Sequence, residues 1–114
     1  MKMRPTDDST LAEAASTFAA LGSEQRLGVL RTLVRAGPEG LSIGELGMRS
    51  GVTGSTLTHH MKILSAAGLV RQVREGRRII CIAAAYTRMQ ALTDFLLTDC
   101  CADSNHPHND AEHG

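Results

Sequence analysis

A mainly α-helical domain with one small β-hairpin is what this chain predicts, on three observations. Apolar residues recur at helical spacing in five separate stretches. Two strand-like runs flank the tight turn Glu75-Gly76-Arg77. Aromatic residues are only 3% of 114 (Phe18, Tyr86 and Phe95), so the core is built from Leu, Ile, Val, Met and Ala, the material of packed helices. The length suits one domain with one core. A lone domain this small buries limited apolar area, which pairing with a second copy relieves.

The first helix is expected over about Leu11–Leu21, with Leu11, Ala14, Ala15, Phe18 and Ala19 at helical spacing and Gly22 closing it. Residues 1–10 then form a flexible arm. Ser23 is a good N-cap for the second helix, although Arg26 stands where a capping-box Glu would. That helix carries Leu27, Leu30, Leu33 and Val34 on one face and stops at Ala36, before Gly37-Pro38. Leu41 suits a very short strand. Ser42 and Glu45 form a capping box that opens the third helix, with Ile43, Leu46 and Met48 directed at the core.

Ser50-Gly51-Val52-Thr53 is a short glycine-containing turn, and the fourth helix follows over about Ser55–Ala67, closed by Gly68. Helix, short turn, helix is the helix-turn-helix pattern. Leu69–Arg74 and Arg78–Ala83 read as the two strands of a hairpin, a wing placed directly after the second helix of that motif. The fifth helix runs from about Tyr86 to Asp99, with Met89, Leu92, Phe95 and Leu96 apolar. The order is thus four helices, two strands and a helix: a winged helix-turn-helix domain over residues 11–99. Residues 100–114 form a polar tail with a cysteine pair and histidines, of a composition that does not pack.

Net charge is zero, but its distribution is uneven. Residues 49–78 hold six basic groups (Arg49, Lys62, Arg71, Arg74, Arg77, Arg78) and one acidic (Glu75), net +5. Residues 1–48 hold five basic and six acidic groups, and residues 79–114 one basic and five acidic. A basic middle between near-neutral and acidic flanks is the footprint of a phosphate-binding patch. A solvated charged face is the plainer alternative.

In the fourth helix Leu57, His60, Met61 and Leu64 share the inward face, leaving Ser55, Thr56, Thr58, His59 and Lys62 outside. Small hydroxyl residues at a helix N-terminus approach phosphates and base edges closely, and a threonine methyl can meet a thymine methyl. Lys62 suits a phosphate, and Arg77 and Arg78 at the wing tip suit backbone or a narrow minor groove. Double-stranded DNA is the implied partner. Ser55 and Thr56 also make sense as caps, Arg71 and Arg74 as solubilising strand residues, and His60 as a satisfied, partly buried polar group where the third and fourth helices meet.

Two stretches, Gly51-Val52-Thr53-Gly54-Ser55-Thr56-Leu57-Thr58-His59-His60-Met61-Lys62-Ile63-Leu64 and Ala67-Gly68-Leu69-Val70, resemble the ArsR/SmtB family of bacterial metalloregulators. Ala20-Leu21-Gly22-Ser23-Glu24-Gln25-Arg26-Leu27 is similar to that family's entry into its second helix, and Glu75-Gly76-Arg77-Arg78 to its wing. The likeness spans residues 11–99. It implies a homodimer joined through the first and fifth helices, operator binding without ligand, and release when an inducer binds: a transcriptional repressor.

The family's sensor sites can be checked residue by residue. Its third-helix cysteine motif falls on Ser42-Ile43-Gly44-Glu45-Leu46, which has no cysteine. Its fifth-helix His/Asp site would fall on a helix that here offers Asp94 and Asp99 but no histidine. What remains is Cys100-Cys101, followed by His106, His108 and His113. Soft thiolates select soft metals and metalloids, and the pair is similar to C-terminal cysteines with which some members sense arsenite. The expected inducer is arsenite or another thiophilic ion on Cys100 and Cys101, with His106 or His108 as a candidate third ligand. A redox or reactive-sulfur switch and two ordinary thiols stay open as alternatives. Cys81, on the second strand, reads as a small buried hydrophobe.

No apolar run reaches the roughly 18 residues of a membrane span, and the N-terminus lacks a signal peptide's apolar core, which together point to the cytoplasm. No cofactor is required. No nucleophile elbow, phosphate-cradling glycine loop or paired carboxylates in an apolar setting is present, so an enzyme is not expected. A winged-helix protein-interaction module without an inducer is the competing class.

Overall fold

The computed structural model of the chain describes residues 7–104. Its elements are α1 (Asp7–Ala20), α2 (Glu24–Ala36), β1 (Leu41–Ser42), α3 (Ile43–Ser50), α4 (Gly54–Ala66), β2 (Val70–Glu75), β3 (Arg78–Ala83) and α5 (Ala85–Leu97). Five helices around a three-stranded antiparallel sheet, ordered β1-β3-β2, make a winged helix-turn-helix fold. α1 starts at Asp7 rather than Leu11, which shortens the expected arm, and α5 ends at Leu97 rather than Asp99. His106, His108 and His113 lie outside the described residues.

Local chemistry fixes the element ends. The Ser23 hydroxyl accepts from the Arg26 N–H at the start of α2. At α3 both halves of the capping box form: the Glu45 N–H reaches the Ser42 hydroxyl at 3.2 Å, and the Ser42 N–H reaches the Glu45 carboxylate at 3.4 Å. α4 ends in a Schellman arrangement, with the Leu69 N–H on the Leu64 carbonyl and the Gly68 N–H on the Ser65 carbonyl. Gly68 takes the left-handed φ of +77° that this closure needs, and the Arg88 guanidinium of α5 fills the space where a Cβ would stand.

β2 and β3 pair from Val70↔Ala83 to Glu75↔Arg78, leaving Gly76 and Arg77 as a two-residue turn. The loop is one residue shorter than the expected Glu75-Gly76-Arg77, because Glu75 still pairs. Gly76, at φ +65°, occupies the first loop position, where tight hairpins favour glycine. β1 joins the other edge of β3 through Leu41↔Cys81 and Ser42↔Ile80. It passes so close that a Cβ at Gly40 would overlap the Cys81 carbonyl oxygen.

The core gathers Val29, Leu30 and Leu33 of α2, Leu46 of α3, Leu57, Met61 and Leu64 of α4, and Leu69, Val70 and Cys81 of the wing. Two expected faces need correction. On α2 the buried stripe is Val29-Leu30-Leu33, while Leu27 and Val34 stay exposed, so the inward face is rotated from the one drawn through Leu27. On the eight-residue α3 only Leu46 and Gly47 are buried; Met48 is 81% exposed and Ile43 is also exposed. So short a helix presents barely one turn inward. α1 turns Ala14, Thr17 and Ala20 inward and leaves Leu11 and Phe18 in solvent, as α5 leaves Leu96 and Leu97.

Two glycines test this account in opposite directions. Gly28 sits mid-α2, and a Cβ placed on it would meet nothing within 4 Å. Gly28→Ala is therefore expected to stabilise by about 0.5–1 kcal/mol. Gly40→Ala, at φ +74° and against the Cys81 carbonyl, is expected to lose more than the roughly 1–2 kcal/mol of left-handed strain alone. Urea denaturation of the two variants against the parent checks both signs.

Candidate nucleic-acid interface

α4 presents two unlike faces. Leu57, His60, Met61 and Leu64 are buried, whereas Ser55, Thr56, Thr58, His59 and Lys62 are all exposed. Ser55, His59 and Lys62 follow one another at i, i+4 and i+7, with Thr56 and Thr58 beside them. Gly54 enters the helix at φ +66°, and Thr53, at the N-cap, makes no side-chain bond to the first turn. The first-turn N–H groups are thus not spent on a cap, which suits a helix end that meets an anion. The Thr58 hydroxyl donates back to the Gly54 carbonyl at 3.3 Å, keeping its lone pairs as acceptors.

What aims α4 is a polar cluster on its buried side. His60 Nδ1 lies 3.4 Å from an Arg26 guanidinium nitrogen, and His60 Nε2 lies 3.1 Å from Gln25 Oε1. A guanidinium only donates, so Nδ1 is the acceptor and the neutral ring carries its proton on Nε2, which donates to Gln25. Arg26 Nε also donates to the Ala20 carbonyl at 2.6 Å, and a terminal nitrogen to the Ala19 carbonyl at 3.4 Å. One side chain therefore joins the end of α1, the start of α2 and the middle of α4. His60 is satisfied, as expected, but its partners are on α2 and not at the junction with α3. Neither Gln25 nor Arg26 was expected from sequence to meet His60. The signal was available, since a histidine on an apolar helix face requires polar partners.

The wing carries Arg71, Arg74, Arg77 and Arg78, all exposed, with Arg77 in the turn and Arg78 opening β3. Cys81 is fully buried on β3, and burial pushes its thiol pKa up. It is a packing residue, not a nucleophile.

Past α5 the chain makes successive turns, with Asp99 and Cys101 at φ +65° and +66°. Cys100 and Cys101 are both exposed, and their sulfurs stand 3.5 Å apart. Two sulfurs bound at about 2.3 Å to one tetrahedral ion stand about 3.8 Å apart, so the pair is close to chelating geometry. Among the described residues no cluster of three or more His, Cys, Asp or Glu is placed to hold a metal. A third ligand at His106 or His108 lies outside those residues. No described helix is long and apolar enough to cross a membrane.

Comparisons with known proteins point the same way. A helix-turn-helix domain family matches residues 21–73, from the entry of α2 to the middle of β2. The uncharacterized HTH-type transcriptional regulator YceK of Bacillus subtilis is 38% identical over 77 residues, 68% of this chain and 73% of that one. An ArsR-like transcriptional regulator from Rhodococcus sp. RHA1 is 30% identical with a TM-score of 0.57, covering 87% of this chain and 99% of that one. The homodimeric winged helix-turn-helix domain of Mb0332 from Mycobacterium bovis shares the fold, with a TM-score of 0.67 at 22% identity over 93% of this chain and 97% of its own. The resemblance is to DNA-binding regulators, not to enzymes.

The His60 cluster predicts a pH dependence. Burial first, then Arg26 and then His59, lowers the His60 pKa below its ordinary 6.5. The unfolded chain therefore takes up the proton more readily than the folded one. Stability is retained above pH 6.5 and falls as pH drops from there through the lowered folded-state value. The melting temperature is expected to fall between pH 7.5 and 5, and His60→Gln to flatten that fall; an unchanged slope in the variant removes His60 as its cause.

Proposed function

Because the chain belongs to the ArsR/SmtB family of winged helix-turn-helix transcriptional regulators, we propose that it is a homodimeric repressor acting in the cytoplasm, released from operator DNA by a thiophilic inducer at Cys100 and Cys101. The observation that carries the DNA part is the exposed polar face of α4 beside a wing that exposes four arginines. In this reading α4 lies in the major groove. Ser55, Thr56, Thr58 and His59 reach base edges and phosphates, Lys62 holds a phosphate, and Arg77 and Arg78 grip the flanking backbone.

The dimer reading rests on the apolar side chains that α1 and α5 leave in solvent, Leu11, Phe18, Leu96 and Leu97. Pairing through these helices covers them and sets two copies of α4 one helical turn of DNA apart, about 34–36 Å. The inducer part rests on the 3.5 Å sulfur pair, exposed just beyond α5. Trivalent arsenic, like other soft ions, supplies a centre that two thiolates can share. The two cysteines hold it, and α5 carries the change into the dimer interface, where a small rotation breaks simultaneous engagement of both half-sites. Release then requires that the inducer bind the DNA-incompetent arrangement more tightly. The same two thiols also suit a disulfide-forming or sulfur-responsive switch.

Two experiments test these parts separately. Lys62→Ala and Arg77→Ala are each expected to lower DNA affinity and to reduce the slope of log K against log salt by about 0.9 per lost phosphate contact. Binding indifferent to salt and to both changes would instead favour a protein-interaction module. Replacing Cys100 and Cys101 together with Ser is expected to leave operator affinity intact and abolish arsenite-driven release under reducing conditions. A full response in the double variant would remove the inducer assignment and leave the DNA reading standing.

A further inference from the structure

Away from α4 and the wing, Thr32 and Arg35 of α2 and Arg49 of α3 line an open cleft of about 560 Å³. Both arginines are exposed and each stands in the last turn of its helix. Among the described residues neither has an ion-pair partner. The Thr32 hydroxyl is already spent on the Gly28 carbonyl at 2.9 Å, so the donors free to meet a ligand here are two guanidinium groups. Two like charges that share a cleft without a carboxylate repel each other, and an anion between them relieves that repulsion. Guanidinium forks match the oxygens of a phosphate.

The cleft's position says which phosphate. Arg49 lies two residues from the Gly51 C-cap and a short turn from Ser55. Gly47, earlier on the same helix, packs against Val52, Thr53 and Leu57. α3 is the first helix of the helix-turn-helix, the one that crosses the DNA backbone while its successor enters the groove. We propose that Arg35 and Arg49 form a phosphate clamp that grips the DNA backbone beside the groove occupied by α4. It positions the reading helix and carries no sequence information of its own. This rests on the DNA-binding reading given above and adds residues from α2 and α3 to a footprint otherwise drawn from α4 and the wing.

The test uses the full-length protein and a mixed-sequence duplex of about 30 base pairs, with affinity measured from 50 to 200 mM salt. Losing one phosphate contact should shrink the affinity drop over that range about 3.5-fold, and losing two about twelvefold. Arg35→Ala/Arg49→Ala is expected to show the larger figure with an unchanged melting temperature, and Arg35→Lys/Arg49→Lys to recover most of the slope. Lys62→Ala serves as the parallel arm. If Lys62→Ala flattens the salt dependence and the double arginine variant does not, the clamp is wrong and the DNA reading stands. If neither changes it, both fall. If the alanine variant unfolds, Arg35→Gln/Arg49→Gln takes its place: a slope flattened by two contacts upholds the clamp, and a parental slope overturns it.

Discussion

The contact on which the arrangement depends is the one made by Arg26. Its guanidinium closes the carbonyl end of α1 at Ala20 and Ala19 and donates to the ring of His60. The carbonyl end of a helix carries partial negative charge and unpaired acceptors, so a cation is well placed there. Gln25, its neighbour in the chain, holds the other ring nitrogen. Two consecutive residues thereby fix both the tautomer and the rotation of a side chain on the buried face of α4. The apolar contacts of Leu57, Met61 and Leu64 supply most of the burial energy, but they tolerate sliding and rolling. A histidine bonded at both nitrogens does not. Which residues α4 shows to solvent is accordingly set from beneath.

A second constraint is the shortage of interior. Helices α1 and α5 bury only small or few side chains inward, with Ala14, Thr17 and Ala20 on one and Ala85 and Leu92 on the other. Their larger apolar groups face water. For a single small domain this is an uncovered surface, and the proposed pairing through the same two helices converts it into an interior. In that arrangement the cysteine pair sits just beyond the α5 end of the interface.

Much of the fold was legible in the residues because its punctuation is chemical. Ser42 with Glu45, Gly37-Pro38, Gly51, Gly68 and Gly76 mark helix ends and turns that the structure places within a residue or two. The inner face of α4 was also legible, since four residues at helical spacing leave little choice. The faces of α2 and α3 were not. On α2, apolar residues at 27, 29, 30, 33 and 34 span an arc of about 160°, wider than the face that packs inward, and only the placement of α2 against α3, α4 and β3 decides among them. On α3, eight residues give too little periodicity to exclude Met48. The partners of His60 were hidden for another reason: they lie some 35 positions away along the chain, and a hydrogen bond leaves no local pattern. The cysteine pair was found by residue type alone; its sulfur separation was not.

Gly68 carries a consequence of its own. Because it lacks a side chain, the tip of Arg88 reaches across from α5 and rests against the last turn of α4. The outermost helix and the end of the helix proposed to meet DNA therefore touch where one guanidinium lodges in the room left by one absent methyl. A lineage that placed any larger residue there would have to push that guanidinium aside and hold a side chain in a left-handed turn.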